Sequence, residues 1–340
     1  MKDGVYFDMP EEEYHALQRL SASGIKQLHI TVEDFWARSW MNPRHEVEET
    51  DAMKFGSAYH KRILEGKEKF YQEYYSELDK ADFGDELLVT SEDIKEELRK
   101  LELKISGKKQ DLIDRLLTVF PDTKIWDELV DMNDLENLGK ISLPATTIEQ
   151  IEYAALFIER HPVISKAFQG GYPEVTVLWT DEATGVKMKS RFDYLKIAAT
   201  VDLKTFSNSQ QKAIHTAIHH AFGYNKYHTQ MSVYKEARHR AIDLIKQGKV
   251  HGGDPEWLDK FVAKEDWKTM VVWQQTGIAP YTQAYMFRHD SSAAIAGENS
   301  MRECMMKFKE CQEKFGTDPW LSMADIEEFE DEMLPYAAFE

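Results

Sequence analysis

The stretch of sequence that decides the fold is residues 171–206, GYPEVTVLWTDEATGVKMKSRFDYLKIAATVDLKTF. Apolar and polar residues alternate over 173–180, as expected for a β-strand with one buried face. The turn-forming run DEATG at 181–185 predicts a hairpin with a return strand over 186–195. A third strand is predicted over 200–206. Together with helical patterns on either side, these strands predict an α/β fold.

Three acidic residues and one lysine lie on the predicted strands: Glu174, Asp193, Asp202 and Lys204. Side chains alternate between the two faces of a strand, so Asp202 and Lys204 point the same way. Pairing of neighbouring strands would bring the carboxylates together, as a hard divalent cation requires. A lysine beside the cation can orient water or offset charge on a phosphoryl oxygen. The D-x-K tripeptide alone is weak evidence, because acids and lysines on a strand usually form a solvated face.

This pattern resembles the PD-(D/E)XK nuclease fold, in which a strand acid is followed by D-x-K on the next strand. More narrowly, the chain is similar to RecE-type (exodeoxyribonuclease VIII-like) exonucleases of phages. Phe192 stands where the superfamily name implies proline. The matching segments, in chain order, are YHALQRLSASGIKQL at 14–28, FGSAYHKRILEG at 55–66, RFDYL at 191–195, DLKTF at 202–206 and QMSVY at 230–234.

The resemblance implies a central mixed sheet flanked by helices and a metal site within it. One or two Mg²⁺ ions, replaceable by Mn²⁺, would be held by Glu174, Asp193 and Asp202. The backbone carbonyl of Leu203 would contribute a further oxygen. His60, in the segment that resembles the family's G-x-A-x-H motif, would lie at the edge of the metal.

The resemblance also assigns roles to residues that hold no metal. Lys204 would position or activate the attacking water. Gln230 and Tyr234 are four residues apart, so both can face the sheet from one helix and contact the phosphate or nearby water. The implied reaction is metal-dependent hydrolysis of linear double-stranded DNA, 5′-to-3′, in phage-type recombination. A ring-shaped homo-oligomer and a single-strand annealing protein as partner are implied as well.

Residues 89–120 differ from the rest of the chain, because two predicted helices carry a basic cluster across Ser106-Gly107. The run LRKLELKISGKKQDLIDRL resembles the SAP motif, a small DNA-binding module. Phosphate contacts of such a module position a protein on DNA without reading its sequence. The alternative is a helical hairpin packed on the nuclease core. The candidate DNA-binding residues are Arg99, Lys104, Lys108, Lys109 and Arg115, with Arg191 on the sheet.

The domain organisation follows from this insertion. Residues 1–88 are expected to form an N-terminal helical part, with one long helix over 51–78 broken near Gly66, and residues 121–340 the nuclease core. Within that core we predict a polar connector over 121–145. Later expected elements are helices over 209–247, strands over 268–275 and 284–288, a helix over 291–315 and an acidic, solvated tail containing ADIEEFEDEM at 324–333.

The amino-acid composition limits the classes of protein to which the chain can belong. A chain of 340 residues with 42% hydrophobic and 30% charged residues is typical of a globular protein that buries a large core. Neither a signal peptide nor a run of eighteen apolar residues is recognised, which predicts a cytoplasmic protein without a membrane partner. Cys304 and Cys311 are too few for an iron–sulfur cluster. His215 and His219 have zinc-helix spacing but no evident third ligand, so we expect surface or DNA-facing groups.

The net charge of −18 is in tension with DNA binding, because phosphates favour basic proteins. Net charge describes solubility and steering rather than a local site, so a basic channel within an acidic chain stays possible. Two other functions remain open at this point. One is a structure-specific endonuclease, and the other is a catalytically inactive DNA-binding protein with a nuclease fold.

Overall fold

The structure is a computed structural model that describes residues 1–46, 50–277 and 279–322. The acidic tail predicted around 324–333 lies outside these residues. Within them, no helix combines the length and the apolar composition that crossing a membrane requires. Cys304 and Cys311 are both free thiols.

The strands of the described residues form a seven-stranded mixed sheet and a separate two-stranded one. The seven-stranded sheet has the order β7-β1-β4-β5-β6-β8-β9, and β2 pairs in parallel with β3. The strands are β1 Gly4–Tyr6, β2 Tyr74–Ser76, β3 Ile141–Leu143, β4 Gly171–Thr180, β5 Lys187–Lys196, β6 Ala199–Phe206, β7 Val250–His251, β8 Lys268–Gln275 and β9 Thr282–Phe287.

Helices surround this sheet and connect its strands. Two short 3₁₀ helices, Lys80–Glu86 and Ile164–Lys166, add to the α-helices of the described residues. The α-helices are α1 Glu11–Ala16, α2 Ala22–Ile30, α3 Val32–Ala37, α4 Asp51–Leu64, α5 Lys67–Glu73, α6 Ser91–Lys100, α7 Lys109–Val119, α8 Trp126–Glu136, α9 Ala145–Arg160, α10 Ile214–Tyr224, α11 Tyr227–Lys246, α12 Pro255–Ala263 and α13 Ser292–Phe315.

The mixed sheet confirms the predicted α/β fold, and its centre is the predicted three-strand segment. β4 and β5 form an antiparallel hairpin, and β6 follows β5 antiparallel. β8 then pairs in parallel with all of β6, which requires a crossover connection, and helices α10 to α12 supply it. The closing pair of β8 and β9 is antiparallel, as the sequence predicts.

Two apolar layers lie on the two sides of the sheet. One packs α2, α11 and α13 against it, with Ile25, Met231 and Met305 among the buried residues. The other packs α4 and α9 against it, with Tyr59, Ile151 and Leu203 among the buried residues. Both faces of the central strands are therefore covered, which explains why Val175, Val177 and Leu178 are all fully buried.

The inserted segment has a small core of its own. Ile94 and Leu98 of α6 pack against Leu112, Ile113 and Leu116 of α7, in the helical hairpin that the sequence predicts. Ile125 belongs to the same core. The two ends of the unit are tied together, because the backbone N–H of Leu88 donates to the carbonyl of Lys124 and the N–H of Trp126 donates to the carbonyl of Leu88.

Two predictions about local structure are wrong, and two short strands were not predicted. The segment over 121–145, predicted to be a polar connector, contains α8 and β3. None of the residues of α8 is buried, so its sequence lacks the apolar stripe that would predict a packed helix. The predicted helix over 51–78 ends earlier: after the break at Gly66, whose φ is 90°, α5 stops at Glu73 and β2 follows. Strands β1 and β7 were not predicted, because three and two residues are too short to show alternation.

Close packing of α11 against α13 generates a stability prediction at Gly297. A Cβ atom there would lie 2.5 Å from the carbonyl oxygen of His228 and 2.5 Å from Ser232 Oγ. Gly297→Ala is therefore expected to lower the free energy of unfolding by about 1–3 kcal/mol through overpacking. The measurement is urea unfolding followed by circular dichroism.

The matched control is Gly223→Ala, in helix α10. No described atom lies within 4 Å of the Cβ position at Gly223. Alanine has the higher helix propensity, so this substitution should leave the unfolding free energy unchanged or raise it by up to about 1 kcal/mol. Equal effects of the two substitutions would contradict the packing account.

Candidate active site

The candidate site lies where β5 and β6 separate. The two strands pair through Tyr194–Val201 and Leu195–Thr200, and no further pair joins them within the described residues. At the next step along the ladder, the Asp193 carboxylate accepts a hydrogen bond of 2.7 Å from the backbone N–H of Leu203. A side chain thus takes the place of a backbone partner, and the strands open into a fork that carries both predicted strand acids.

Asp202 is the most deeply buried acid of the fork. Its Oδ1 atom accepts hydrogen bonds from Lys204 Nζ at 2.7 Å and from Gln230 Nε2 at 3.2 Å. Its Oδ2 atom is also buried but has no hydrogen-bond partner among the described residues. Burial raises the pKa of Asp202 to about 6, although Lys204 opposes the shift. An unpaired buried carboxylate oxygen is unfavourable unless a ligand completes its environment.

Lys204 and His60 adjust the charge of the fork. Burial alone would lower the pKa of Lys204, but the nearby Asp202 and Asp193 raise it, so the ammonium stays charged. His60 Nδ1 lies 3.9 Å from Asp193 Oδ2. Burial, together with repulsion from Lys204, lowers the pKa of His60 to about 4. His60 is therefore neutral at pH 7, which is the form that can bind a metal.

Helix α11 places two of the predicted residues against the fork from the other layer. Gln230 Nε2 donates to Asp202 Oδ1 and also to the Tyr234 hydroxyl at 3.1 Å. The Tyr234 hydroxyl faces the carboxyl group of Asp193 and lowers the pKa of that group, against the larger effect of burial. Helix α11 thus brings one polar side chain against each acid.

Glu174 enters the site from a distorted position in β4. It lies between the Pro173–Tyr194 and Val175–Phe192 pairs and has a φ of 54°, in the left-handed region that non-glycine residues rarely adopt. Its Oε2 atom is 2.5 Å from Nε of Arg191, and burial raises its pKa to about 8 despite this ion pair. Backbone strain of this kind is typical of functional sites. The guanidinium group of Arg191 forms an ion pair with Glu174 and donates a hydrogen bond to the carbonyl of Met9.

Lys26 of α2 is a site residue that the sequence analysis missed. Its Nζ atom donates to Gln230 Oε1 at 3.1 Å and lies 4.3 Å from the ring centre of Tyr227. Lys204 Nζ lies 5.2 Å from the centre of the same ring, so two ammonium groups lie near one aromatic side chain. Burial lowers the pKa of Lys26 to about 8. The sequence did offer one indication of its role, because Lys26 lies within the segment at 14–28 that resembles the nuclease family.

The two small residues of the G-x-A-x-H segment, Gly56 and Ala58, lie in different surroundings. Ala58 is fully buried in the apolar layer between α4 and the sheet. A Cβ atom at Gly56, in contrast, would meet no described atom within 4 Å. Gly56 is four residues before His60, on the same side of α4, so open space lies beside the histidine.

The side chains of the fork fit a divalent cation. Among the described residues no group of three or more His, Cys, Asp and Glu side chains forms a complete metal cage. Mg²⁺, however, is usually bound through one or two carboxylates with other positions left to water and phosphate. The unpaired Oδ2 of Asp202, the carboxylate of Asp193 and the neutral His60 would supply such a set. Leu203 contacts the fork through its N–H group.

The remaining candidate residues lie outside the fork. In the inserted unit, Arg99 pairs with Glu92 at 2.7 Å and Lys109 pairs with Asp127 at 2.7 Å. Arg115 donates to backbone carbonyls within the unit, whereas Lys104 and Lys108 are exposed and make no side-chain ion pair among the described residues. On α10, His215 hydrogen-bonds the Tyr285 hydroxyl at 2.6 Å, and His219 packs on the same tyrosine ring.

The chain resembles known proteins in one family model and in solved structures. A model described as a PDDEXK-like domain of unknown function matches residues 21–247. A crystal structure from Eubacterium rectale, described as a "Putative exonuclease", is 16% identical and covers 90% of this chain and 85% of that chain, with a TM-score of 0.45. No curated protein matches the chain.

The titration of Lys26 generates a prediction for the pH profile of catalysis. The ammonium is charged below pH 8 and loses its charge as the pH rises through about 8, so phosphodiester hydrolysis should fall there. Lys26→Met should lower kcat/KM about tenfold at pH 7 and remove this alkaline limb, because the cation is absent at every pH. Lys26→Arg should keep the activity and shift the alkaline fall in activity to higher pH.

The control for this series is Lys246→Met, because Lys246 is an exposed lysine in the last turn of α11. This variant should retain the wild-type profile. Glu174 also has a pKa of about 8, and so does Lys189. If Lys26→Met kept an unchanged alkaline limb, one of those groups would control it and the role given to Lys26 would be wrong.

Proposed function

Because the chain belongs to the family of PD-(D/E)XK-like domains, with more than half of its length matched, we propose that it is a Mg²⁺-dependent deoxyribonuclease. The observation that carries this proposal is the unpaired, buried Oδ2 of Asp202 beside a charged Lys204. A domain that only binds DNA gains nothing from buried carboxylates near phosphates. Charged acids of this kind lower stability unless a cation offsets them.

Each residue of the fork has a distinct task in this proposal. Asp193 and Asp202 would hold Mg²⁺ or Mn²⁺, and His60 would lie at its edge as a neutral imidazole. The bound cation would polarise the phosphate and stabilise the leaving oxygen. Lys204 would orient the attacking water and offset charge that develops on the phosphoryl oxygens. Gln230 and Tyr234 would keep both carboxylates in place.

The proposed substrate is linear double-stranded DNA, degraded from its ends in the 5′-to-3′ direction. Support for this polarity, for a ring-shaped oligomer and for a single-strand annealing partner comes from the RecE-like motifs alone. The inserted unit is proposed as a second DNA contact through Lys104 and Lys108, which are exposed and free of side-chain ion pairs among the described residues. Arg191 is better assigned to holding Glu174 than to DNA.

The test is hydrolysis of linear and covalently closed duplex DNA with Mg²⁺, comparing the wild type with Asp202→Asn and Lys204→Ala. Linear DNA alone should be degraded, and each substitution should lower the rate at least about a hundredfold, because a charge that stabilises the transition state is lost. DNA binding, measured by fluorescence anisotropy with Ca²⁺, should persist in both variants. Release of nucleotides from a 5′ label before a 3′ label checks the polarity.

Matched controls are Asp266→Asn and Lys187→Ala, which change an exposed acid and an exposed lysine outside the fork. Both should keep wild-type rates. Cleavage of closed circles at a comparable rate would replace the exonuclease with an endonuclease. A wild type that binds DNA but is inert with both Mg²⁺ and Mn²⁺ would be a binding protein that retains a nuclease fold.

A further inference from the structure

Basic side chains line one side of the fork, on helices α2 and α11. The first of them, Lys26, contacts the Tyr227 ring that the lysine of the fork also contacts. Three more basic side chains lie near it, one a helical turn later on α2 and two at the start of α11. The basic strip, as we call this set, consists of Lys26, His29, Lys226 and His228.

The charges that act on each member give the order of the basic strip. Burial lowers the pKa of Lys26, and the next largest contribution comes from Lys204, so Lys26 is the member beside the fork. Burial also lowers the pKa of His228, and the positive charges that add to this effect are those of Lys226, His29 and Lys26. The strip therefore begins at the fork with Lys26 and continues through His228 to Lys226 and His29.

No acidic side chain of the described residues forms an ion pair with the basic strip. Lys26 donates to the neutral amide of Gln230, and His29 Nδ1 hydrogen-bonds Ser300 Oγ on α13 at 3.2 Å. Lys226 has a φ of 53°, in the left-handed region that lysine rarely adopts, at the junction of α10 with α11. In a chain with a net charge of −18, a surface of basic groups without acidic partners indicates a site for an anion.

The opposite side of the fork is acidic. Helix α1 begins with three exposed glutamates. The helix is held at the fork by Tyr14, whose ring centre lies 5.6 Å from the guanidinium carbon of Arg191, the partner of Glu174. Burial and Lys204 lower the pKa of His60, and the charge of Glu11, with that of Asp202, opposes this shift. The first acid of α1 therefore acts on the fork itself.

We propose that the basic strip binds the phosphate backbone of the DNA strand whose end is hydrolysed in the fork. Successive phosphates of one strand present a row of negative charges, which basic side chains contact without reading the sequence. The glutamates of α1 repel phosphates, so the strand leaves the fork over the basic strip and not over α1. A site that accepts DNA from one side fits hydrolysis at a strand end. This inference rests on the proposed function and refines it.

The first experiment measures how DNA binding depends on salt in Lys226→Asn. Asparagine tolerates the left-handed backbone of this position, so the substitution removes the charge without straining the start of α11. Binding is followed by fluorescence anisotropy with Ca²⁺ at several salt concentrations. The Kd should rise about fivefold, and the slope of log Kd against log salt should fall by about one, because one phosphate contact is lost.

Two further variants control this experiment. Lys226→Arg keeps the positive charge and should restore both the affinity and the slope. Lys246→Asn removes an exposed lysine from the other end of the same helix and should bind DNA as the wild type does. An unchanged Kd and slope in Lys226→Asn, or an equal loss in Lys246→Asn, would overturn the proposal.

The second experiment maps the basic strip onto the strand. A methylphosphonate linkage, which carries no charge, replaces one phosphate at a time, counted from the end of the strand. Wild-type Kd should rise about fivefold where the neutral linkage faces the strip. Lys226→Asn should abolish this effect at one phosphate, and Lys26→Met should abolish it at a phosphate nearer the scissile bond. Additive losses at every position, or the reverse order of the two phosphates, would contradict the proposed path.

These binding measurements separate failure of this inference from failure of the proposed function, because neither of them requires hydrolysis. A lower salt slope in Lys226→Asn supports the basic strip even if the wild type cleaves no DNA with Mg²⁺ or Mn²⁺. If the wild type degrades DNA but Lys226→Asn binds with an unchanged Kd and slope, the nuclease stands and the basic strip falls.

Discussion

The site depends on one hydrogen bond, from the Leu203 N–H to the Asp193 carboxylate. A β-ladder normally satisfies such a donor with a carbonyl of the neighbouring strand. Here the side chain of Asp193 does so, and the pairing of β5 with β6 can end two residues after it begins. The donor stays satisfied while the strands part. The opening admits His60 from one helical layer and Gln230 from the other, so residues distant in sequence meet at two buried acids.

Burial of these acids requires compensation, which the chain supplies mainly from α11. Gln230, Tyr234 and Arg238 follow one another at intervals of four residues and face the sheet along one side of the helix. Gln230 donates to Asp202, and the Tyr234 hydroxyl faces Asp193. Arg238, fully buried, donates to the carbonyls of Lys196, Ile197 and Ala199 in the turn between β5 and β6. Helix α11 thus contacts both the turn that joins β5 to β6 and the point where the two strands separate. Lys204 offsets the negative charge of the two acids.

Much of this arrangement could be predicted from sequence, because it is encoded locally. The alternation of apolar and polar residues and the turn residues were sufficient to predict strands β4 to β6. The D-x-K spacing was sufficient to predict that Asp202 and Lys204 share one face of β6. Lys26 could not be found this way, since its importance arises from contact with Gln230, 204 residues away in sequence. Nor could the strained backbone of Glu174 or the open space beside Gly56, which depend on how the layers pack. The roles of the site residues and the domain boundaries stay predictions.

The central claim is that the fork holds a divalent cation between Asp193 and Asp202. The most direct measurement is anomalous X-ray diffraction from crystals soaked in Mn²⁺. The account predicts a strong anomalous peak within coordination distance of Asp202 Oδ2 and the Asp193 carboxylate, and its loss in Asp202→Asn. A fork that remains empty at saturating Mn²⁺, or a peak that persists unchanged in Asp202→Asn, would contradict it.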